Sequence, residues 1–515
     1  MTDTAVASAY DDLTADLVAT SGETVTVIAP FTGEPLVELP QSSETDVASA
    51  AEAAREAQVA WFAAGAAYRR EVLLRGHDLL LERRRTLLDL NQLETGKTRA
   101  QAFEEVVQAA NTARYVALTA PALLRPQRRK GVLPVVTRAS VDYVPKGVIG
   151  IITPWNYPVS LAGMDVLPAL AAGNAVVQKA DNQAALSVLA LRRAFVDAGV
   201  PEALWSVVAG PGDTVGNAVV DVSDYVCFTG STATGRKVAE RAARALHGAS
   251  LELGGKNPII VLDDADLEKA AAGVAFGAFS ALGQLCVSME RVYVERGIAD
   301  AFIPLLVERV KALHQGPALD YSTDVGSLTS AAQLERVEAH VSDAVSKGAT
   351  VLAGGTRRED LGPFFYEPTV LTDVTPDMSC FAGETFGPVL SVYIVDDEDD
   401  AIRRANDSEY GLNASVFSRS LTRAHAVARQ LDAGIVNLNE PYRAAFGSVD
   451  APMGGMKASG LGRRNGPEGI LRFVDTRTIG EATVLFQMPR TGREMEQLLP
   501  VVMTLLKTMR TLRLR

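Results

Sequence analysis

Between residues 45 and 120, apolar side chains recur three and four places apart, at Val47, Ala50, Ala51 and Ala54 and again at Leu73, Leu74, Leu79, Leu80 and Leu81. That spacing predicts several helices, each burying one face. Between 148 and 253 the pattern changes to short, continuous apolar runs at 148–152, 175–177, 205–208 and 225–228, each ending in a Gly-rich or polar turn and separated by Ala-rich stretches. Runs of that length alternating with helical stretches predict a parallel α/β sheet. A second alternation of the same kind fills roughly 254–452. Two segments rich in β-branched residues, 132–144 and 479–486, stand outside both rhythms and predict strands of a separate element.

One stretch is unusual in having no charge. From Ala270 to Met289 there is no Lys, Arg, Asp or Glu, and its length is about what a bilayer crossing needs. Its Ala and Gly content, with Ser280, Gln284 and Ser288, favours a helix in a large core over a membrane span. Cys286 stands near its end, in Gly283-Gln284-Leu285-Cys286.

Lone cysteines are mostly inert buried hydrophobes, so the neighbourhood decides what Cys286 does. Upstream, Glu252 lies between two leucines and beside Gly254 and Gly255, where apolar surroundings would raise its proton affinity and suit it to act as a general base. Asn156 follows the strand-like run 148–152 in the turn Thr153-Pro154-Trp155-Asn156-Tyr157-Pro158, from which its amide can face an oxyanion. Nucleophile, oxyanion donor and base are the three parts that acyl chemistry on a thiol requires.

Together with Phe228-Thr229-Gly230-Ser231-Thr232, Glu384-Thr385-Phe386-Gly387-Pro388-Val389 and Pro452-Met453-Gly454-Gly455-Met456-Lys457-Ala458-Ser459-Gly460, these motifs give a chain that resembles the NAD(P)-dependent aldehyde dehydrogenases over nearly its whole length. The resemblance implies an α/β protein of the aldehyde dehydrogenase fold. A Rossmann-like cofactor domain would take 22–123 and 146–253, an α/β catalytic domain 254–455, a β oligomerisation arm 124–145 and 476–490, and a basic amphipathic tail 491–515. It implies Cys286 as nucleophile, Glu252 as base and Asn156 as oxyanion donor. Trp155, Lys179, Asn182, Gly230, Ser231, Glu384 and Phe386 become the cofactor residues.

From the residues themselves, Gly230-Ser231 after a strand and before a helix could bring amides to a pyrophosphate, whereas the glycines of 210–216 are spaced one residue too widely for the dinucleotide fingerprint and read as a turn. Many NAD-preferring relatives have Glu where this chain has Asn182, and a neutral amide does not repel a 2'-phosphate. NADP is therefore the expected cofactor, with NAD use left open. The chain departs from the family after Gly462-Arg463, where Arg464 replaces a carboxylate found in many relatives, which puts any relay through that place in doubt.

The pattern is most similar to bacterial succinate-semialdehyde dehydrogenases and implies oxidation of succinic semialdehyde to succinate. Two arginines that hold the substrate carboxylate in well-known members are replaced here by Met164 and Ser280, so Arg443 or Ser448 would have to substitute, or the substrate is an apolar aldehyde. A non-catalytic protein of the same fold is the third reading, against which the intact Cys286, Glu252 and Asn156 argue.

Composition narrows the field further. With 515 residues, two large domains and a smaller element are expected. A net charge of -12 disfavours a nucleic-acid partner, and three scattered cysteines with five unclustered histidines disfavour a disulfide framework or a metal site. The acidic start lacks a signal peptide's apolar core, so a cytoplasmic setting and a loosely held arm up to Gly22 are expected. The tail from Leu498 alternates Leu, Val and Met with Lys507, Arg510, Arg513 and Arg515. Packing on a neighbouring subunit of a homodimer or homotetramer is expected ahead of membrane contact.

Overall fold

The computed structural model describes residues 10, 12–131, 137–482 and 489–513. Its helices Glu44–Ala63, Gly65–Glu82, Arg84–Thr95 and Arg99–Leu123 occupy the stretch with 3.6-residue spacing. The first begins at Ser43, whose hydroxyl accepts from Asp46 N–H while Asp46 accepts from Ser43 N–H, a reciprocal cap.

The chain falls into two units, one within 1–123 and 145–474, the other within 124–144 and 475–515. The larger holds two sheets. In the six-stranded sheet the order is Gly460–Leu461, Gly248–Glu252, Tyr225–Thr229, Val148–Ile152, Ala175–Ala180 and Trp205–Ala209. All neighbours are parallel except the two-residue edge strand Gly460–Leu461. The chain builds outward from Val148–Ile152 to Trp205–Ala209, then returns to the other side of Val148–Ile152 with Tyr225–Thr229. Such a reversal opens a crevice at the carboxyl ends of the two strands beside it, where open α/β sheets bind ligands.

The seven-stranded sheet runs Thr350–Ala353, Thr369–Thr372, Val389–Val395, Met289–Glu295, Asn257–Val261, Asn413–Phe417 and Ile435–Leu438. Only its first pair is antiparallel. The uncharged run packs here, but it is not one helix. Helix Leu267–Phe279 stops, and Ala281, Leu282 and Gly283 take positive φ, so that Cys286 lies in a turn ahead of Met289–Glu295. A Cβ on Gly283 would stand 2.1 Å from Gly387 O, so only glycine lets the two loops approach this closely. Among the described residues no helix is long and apolar enough to cross a membrane.

The expectation of a loose N-terminal arm needs correction for its described part. Leu13 and Leu17 are buried, Val18 N–H donates to Val207 O at 3.0 Å, and Arg193 pairs with Asp12 and Asp16. Two leucines and two acids at helical spacing match one surface, a coincidence that composition hides.

In the smaller unit, strands Gln127–Lys130, Thr137–Pro145 and Val474–Ala482 form a sheet. The remainder of the strands expected at 132–144 and 479–486, namely 132–136 and 483–486, lies outside the described residues. Helix Gly492–Thr511 starts at a Thr491–Glu494 capping box and exposes Met495, Leu499, Leu505 and Leu506. Residues 514 and 515 of the tail also lie outside.

Candidate active site

After Val148–Ile152 the chain turns and enters helix Pro158–Ala171. The first amides of that helix need acceptors, and the buried Glu105 provides one: its Oε2 accepts from Val159 N–H at 2.8 Å and Ser160 N–H at 3.0 Å. Its other oxygen pairs with Lys97, whose ammonium also donates to Asn156 O at 2.6 Å and lies 3.8 Å from the centre of the Tyr157 ring. A buried ion pair thus fixes the turn that carries Asn156. Asn156 Nδ2 donates to Gln284 O at 2.9 Å, tying this turn to the one that carries the thiol.

Neutral amides hold the thiol turn. Asn257 Nδ2 donates to Cys286 O at 2.8 Å and Ser288 O at 2.7 Å, and Asn413 Nδ2 donates to Val287 O at 2.9 Å and Pro441 O at 3.1 Å. Asn413 N–H donates to Asn257 Oδ1, and Asn437 Nδ2 donates to Asn413 Oδ1, both at 3.0 Å, which makes the three asparagines one ladder across three parallel strands. Burial pushes the Cys286 thiol up to about 12, with the charges of Glu252 and Glu384 adding to the rise, so the group rests as the thiol.

Glu384 lies opposite, its Oε1 accepting from Gly255 N–H at 2.9 Å. A Cβ on Gly254 would meet the same carboxylate at 2.5 Å, which accounts for the glycine there. The loop of Glu384 is set from below by Glu290, which accepts from Thr385 and Phe386 N–H groups and is itself held by the buried Lys256. Burial, with Glu290 nearby, raises Glu384 to about 7.

Glu252 ends the strand Gly248–Glu252 between Thr229 on one neighbour and Gly460 on the other. It is 4 % exposed, and its Oε1 has no hydrogen-bond partner among the described residues. Burial raises it to about 7, against the pull of Arg464, so near neutrality the group is divided between acid and carboxylate. Arg464 is buried and bonds Asp165 through Nε and Nη2.

Asn156, Cys286 and Glu252 line one cavity of about 190 Å³, together with Trp155, Gly230, Ser231, Glu384 and Phe386. The Trp155 and Phe386 rings meet edge to face at 5.7 Å. Ser231 caps helix Thr232–Arg244 by accepting from Thr234 N–H, so that helix N-terminus opens on the cavity. Lys179 and Asn182 do not line it; they leave the next strand, Ala175–Ala180, one place further across the sheet. Burial lowers Lys179, and Asn182 Oδ1 is buried without a hydrogen-bond partner among the described residues, while its Nδ2 donates to Gln41. An elongated ligand could reach from Trp155 and Ser231 to Lys179 and Asn182 along the carboxyl ends of adjacent strands.

The other flank of Cys286 is apolar, built by Tyr157, Leu161, Met164, Phe446 and Tyr442, with Phe276 stacked on Tyr442 at 5.4 Å. Arg443, 4.0 Å from the centre of the Phe276 ring, faces Glu440 at 3.2 Å and Glu104 at 3.9 Å. Ser448 donates to Ala444 O. Sequence reasoning missed Lys97, Glu105, Glu290 and the asparagine ladder. Their partners lie up to 156 positions away, and nothing local marks them.

The family model "Aldehyde dehydrogenase family" matches residues 17–479. A Mycobacterium ulcerans protein named "Putative succinate-semialdehyde dehydrogenase NADP(+) 2" is 48% identical over 488 residues, 94% of each chain. A solved Escherichia coli structure, described as an NADP dependent enzyme, is 36% identical with a TM-score of 0.87, over 90% of this chain and 96% of its own. Betaine aldehyde dehydrogenase from Staphylococcus aureus, solved in complex with NAD+, is 32% identical with a TM-score of 0.86, over 92% and 94%.

Proposed function

The chain belongs to the aldehyde dehydrogenase family, and on that premise we propose that it oxidises succinic semialdehyde to succinate with NADP, NAD serving less well. The observation that carries the reaction is the meeting of Cys286, Glu252 and Asn156 in one cavity. The 48% identity to the M. ulcerans protein supports the substrate and the cofactor.

The residues fit a nicotinamide dinucleotide. Trp155, Ser231 and the N-terminus of helix Thr232–Arg244 would hold its pyrophosphate, Lys179 and Asn182 its adenosine ribose, and Glu384 and Phe386 its nicotinamide end. Asn182 leaves a 2'-phosphate unopposed at its own position. When bound, the nicotinamide supplies the hydride acceptor.

Cys286 Sγ attacks the aldehyde carbon as the thiolate, its proton leaving to solvent, and Glu252 stays a carboxylate for the later step. Asn156 Nδ2 and the Cys286 N–H donate to the oxyanion that forms. After hydride loss the acyl group is a thioester on Sγ. Glu252 takes a proton from water, the hydroxide attacks the thioester carbon, and the carboxylic acid leaves with the thiol restored.

We assign 22–123 and 146–253 to cofactor binding, 254–455 to the thiol and substrate, and 124–145 with 476–490 to self-association as a homodimer or homotetramer. The apolar stripe of helix Gly492–Thr511 suits packing on another subunit; flotation with anionic vesicles would reveal a membrane role instead. Free cysteines and the acidic charge support a cytoplasmic setting.

A second reading, an enzyme for apolar aldehydes, is favoured by the aromatic flank of Cys286 and by the two acids beside Arg443. Reduced-cofactor absorbance with succinic semialdehyde and with hexanal, each with NADP and NAD, separates the two. The expected result is a higher kcat/KM for succinic semialdehyde with NADP; a preference for hexanal overturns the substrate assignment.

A further inference from the structure

Behind Glu252 lies a cluster of charges that does not balance without it. Asp165, 1 % exposed, accepts from Arg464 Nε at 2.9 Å and Nη2 at 2.5 Å, and from Arg472 Nη2 at 2.7 Å. One buried carboxylate facing two guanidinium groups leaves one net positive charge in a region of low dielectric, where an isolated charge is costly.

The cluster is joined to Glu252 through the backbone. Arg464 also donates to Thr229 Oγ1, and Thr229 is the register partner of Glu252 across the sheet. On the opposite side Gly460 pairs with Glu252, and the same segment runs on to Arg464, whose N–H and C=O both bond Met453. Glu252 and Arg464 are therefore anchored to the same two segments, the strand of Thr229 and the chain from Gly460.

The other titratable groups around Glu252 do not supply the missing negative charge. Cys286 on the thiol turn and Cys227 on the neighbouring strand are both held as thiols by burial, and Tyr225, on the same strand as Cys227, stays a phenol bonded to Ser250. Glu384, across the cavity, is itself raised to about 7 and turned to Gly255 N–H, Arg336 donates to Glu384 O, and Arg463 is cationic and turned to the carbonyls of Gly455 and Gly462.

We infer that Arg464 is the positioning residue of Glu252: with Asp165 and Arg472 it fixes a net positive charge behind the carboxylate and keeps it available as a base, at the place where the sequence departs from the family's second carboxylate. The inference rests on the base role proposed for Glu252. Its sign is testable. Removing the guanidinium should raise the proton affinity of Glu252, and neutralising Asp165 should lower it.

The test uses 4-nitrophenyl acetate and the full chain. Sγ attacks the ester carbonyl, 4-nitrophenolate leaves, and water then hydrolyses the acetyl thioester to acetate and thiol, with no change of oxidation state. The burst of nitrophenolate reports acylation, and the steady rate reports water attack. Arg464→Gln is expected to keep the burst and to move the midpoint of the steady rate about one pH unit upward. Arg464→Lys should leave it within about half a unit of the wild type, and Asp165→Asn should move it downward. Thermal melts identify which variants fold, and any one folded neutral variant suffices. An unchanged midpoint in Arg464→Gln or Asp165→Asn, or a shift of both in one direction, overturns the inference. If wild type lacks a burst, or Glu252→Gln hydrolyses normally, the underlying assignment of thiol and base fails instead.

Discussion

The two halves of the reaction centre are supported by different forces. The turn of Cys286 is held by neutral donors, with Asn257, Asn413 and Gln284 satisfying its carbonyls and those of its neighbours. Glu252 is held among charges, with Asp165, Arg464 and Arg472 behind it. Dipoles fix a position and leave the proton inventory alone; charges change which protonation state is stable. The nucleophile needs an accurate approach to a carbonyl carbon, whereas the base must change its proton twice in each turnover, and each half has the support that suits it.

The largest break in that comparison comes from the two reacting groups. Cys286→Ala is expected to lower aldehyde oxidation by more than about 10⁴-fold and to abolish the acylation burst, because no other group can hold the acyl chain. Glu252→Gln should keep the burst and slow only the later steady rate, by about 10²–10⁴-fold. Rapid mixing that follows the burst and steady phases separately checks both. A Glu252→Gln enzyme with the wild-type steady rate would remove the base assignment.

A smaller effect sharpens the contrast. Asn413→Ala leaves the carbonyls of Val287 and Pro441 without their donor and Asn437 Nδ2 without its acceptor, while the backbone bond to Asn257 stays. Two lost bonds to buried carbonyls should cost about 2–4 kcal/mol of stability, and a displaced thiol turn should lower the burst rate by about 10–100-fold. The pH midpoint of the later phase should not move, since no charge has changed. Denaturant melts and burst kinetics over pH measure all three quantities; a shifted midpoint would mean that the amide ladder also controls Glu252.

This division explains what the sequence disclosed. Helices at 45–120 and the strands at 148–152 and 225–228 are legible because apolar periodicity is local and each element buries a face. Cys286, Glu252 and Asn156 are legible because their chemistry requires those residue types, and each sits beside Gly, Pro or apolar neighbours that mark a loop or a buried site. The asparagine ladder is not legible, because Asn257, Asn413 and Asn437 are unremarkable polar residues until parallel strands bring them together. Lys97 and Glu105 look like surface charges of amphipathic helices, and only the tertiary fold turns them inward onto the Asn156 turn. Arg464 was visible as a departure, but its partner Asp165 lies 299 positions earlier, inside an apolar helix.

The smallest expected effect concerns Arg443, the side chain that the sequence offered as an anchor for the substrate carboxylate. Its guanidinium is about half exposed, stacked over Phe276, and already faces Glu440 and Glu104. A carboxylate arriving there would compete with Glu440 and meet repulsion from Glu104, while an exposed ion pair is worth at most about 1 kcal/mol. Arg443→Met should therefore raise the KM for succinic semialdehyde by less than about fivefold and leave that for hexanal within about twofold. A rise near a hundredfold for succinic semialdehyde alone would mean that substrate displaces the two acids. The charged half of the centre would then extend to the mouth of the substrate side, and the contrast between a dipole-held thiol and a charge-held base would hold only for the groups that make and break bonds.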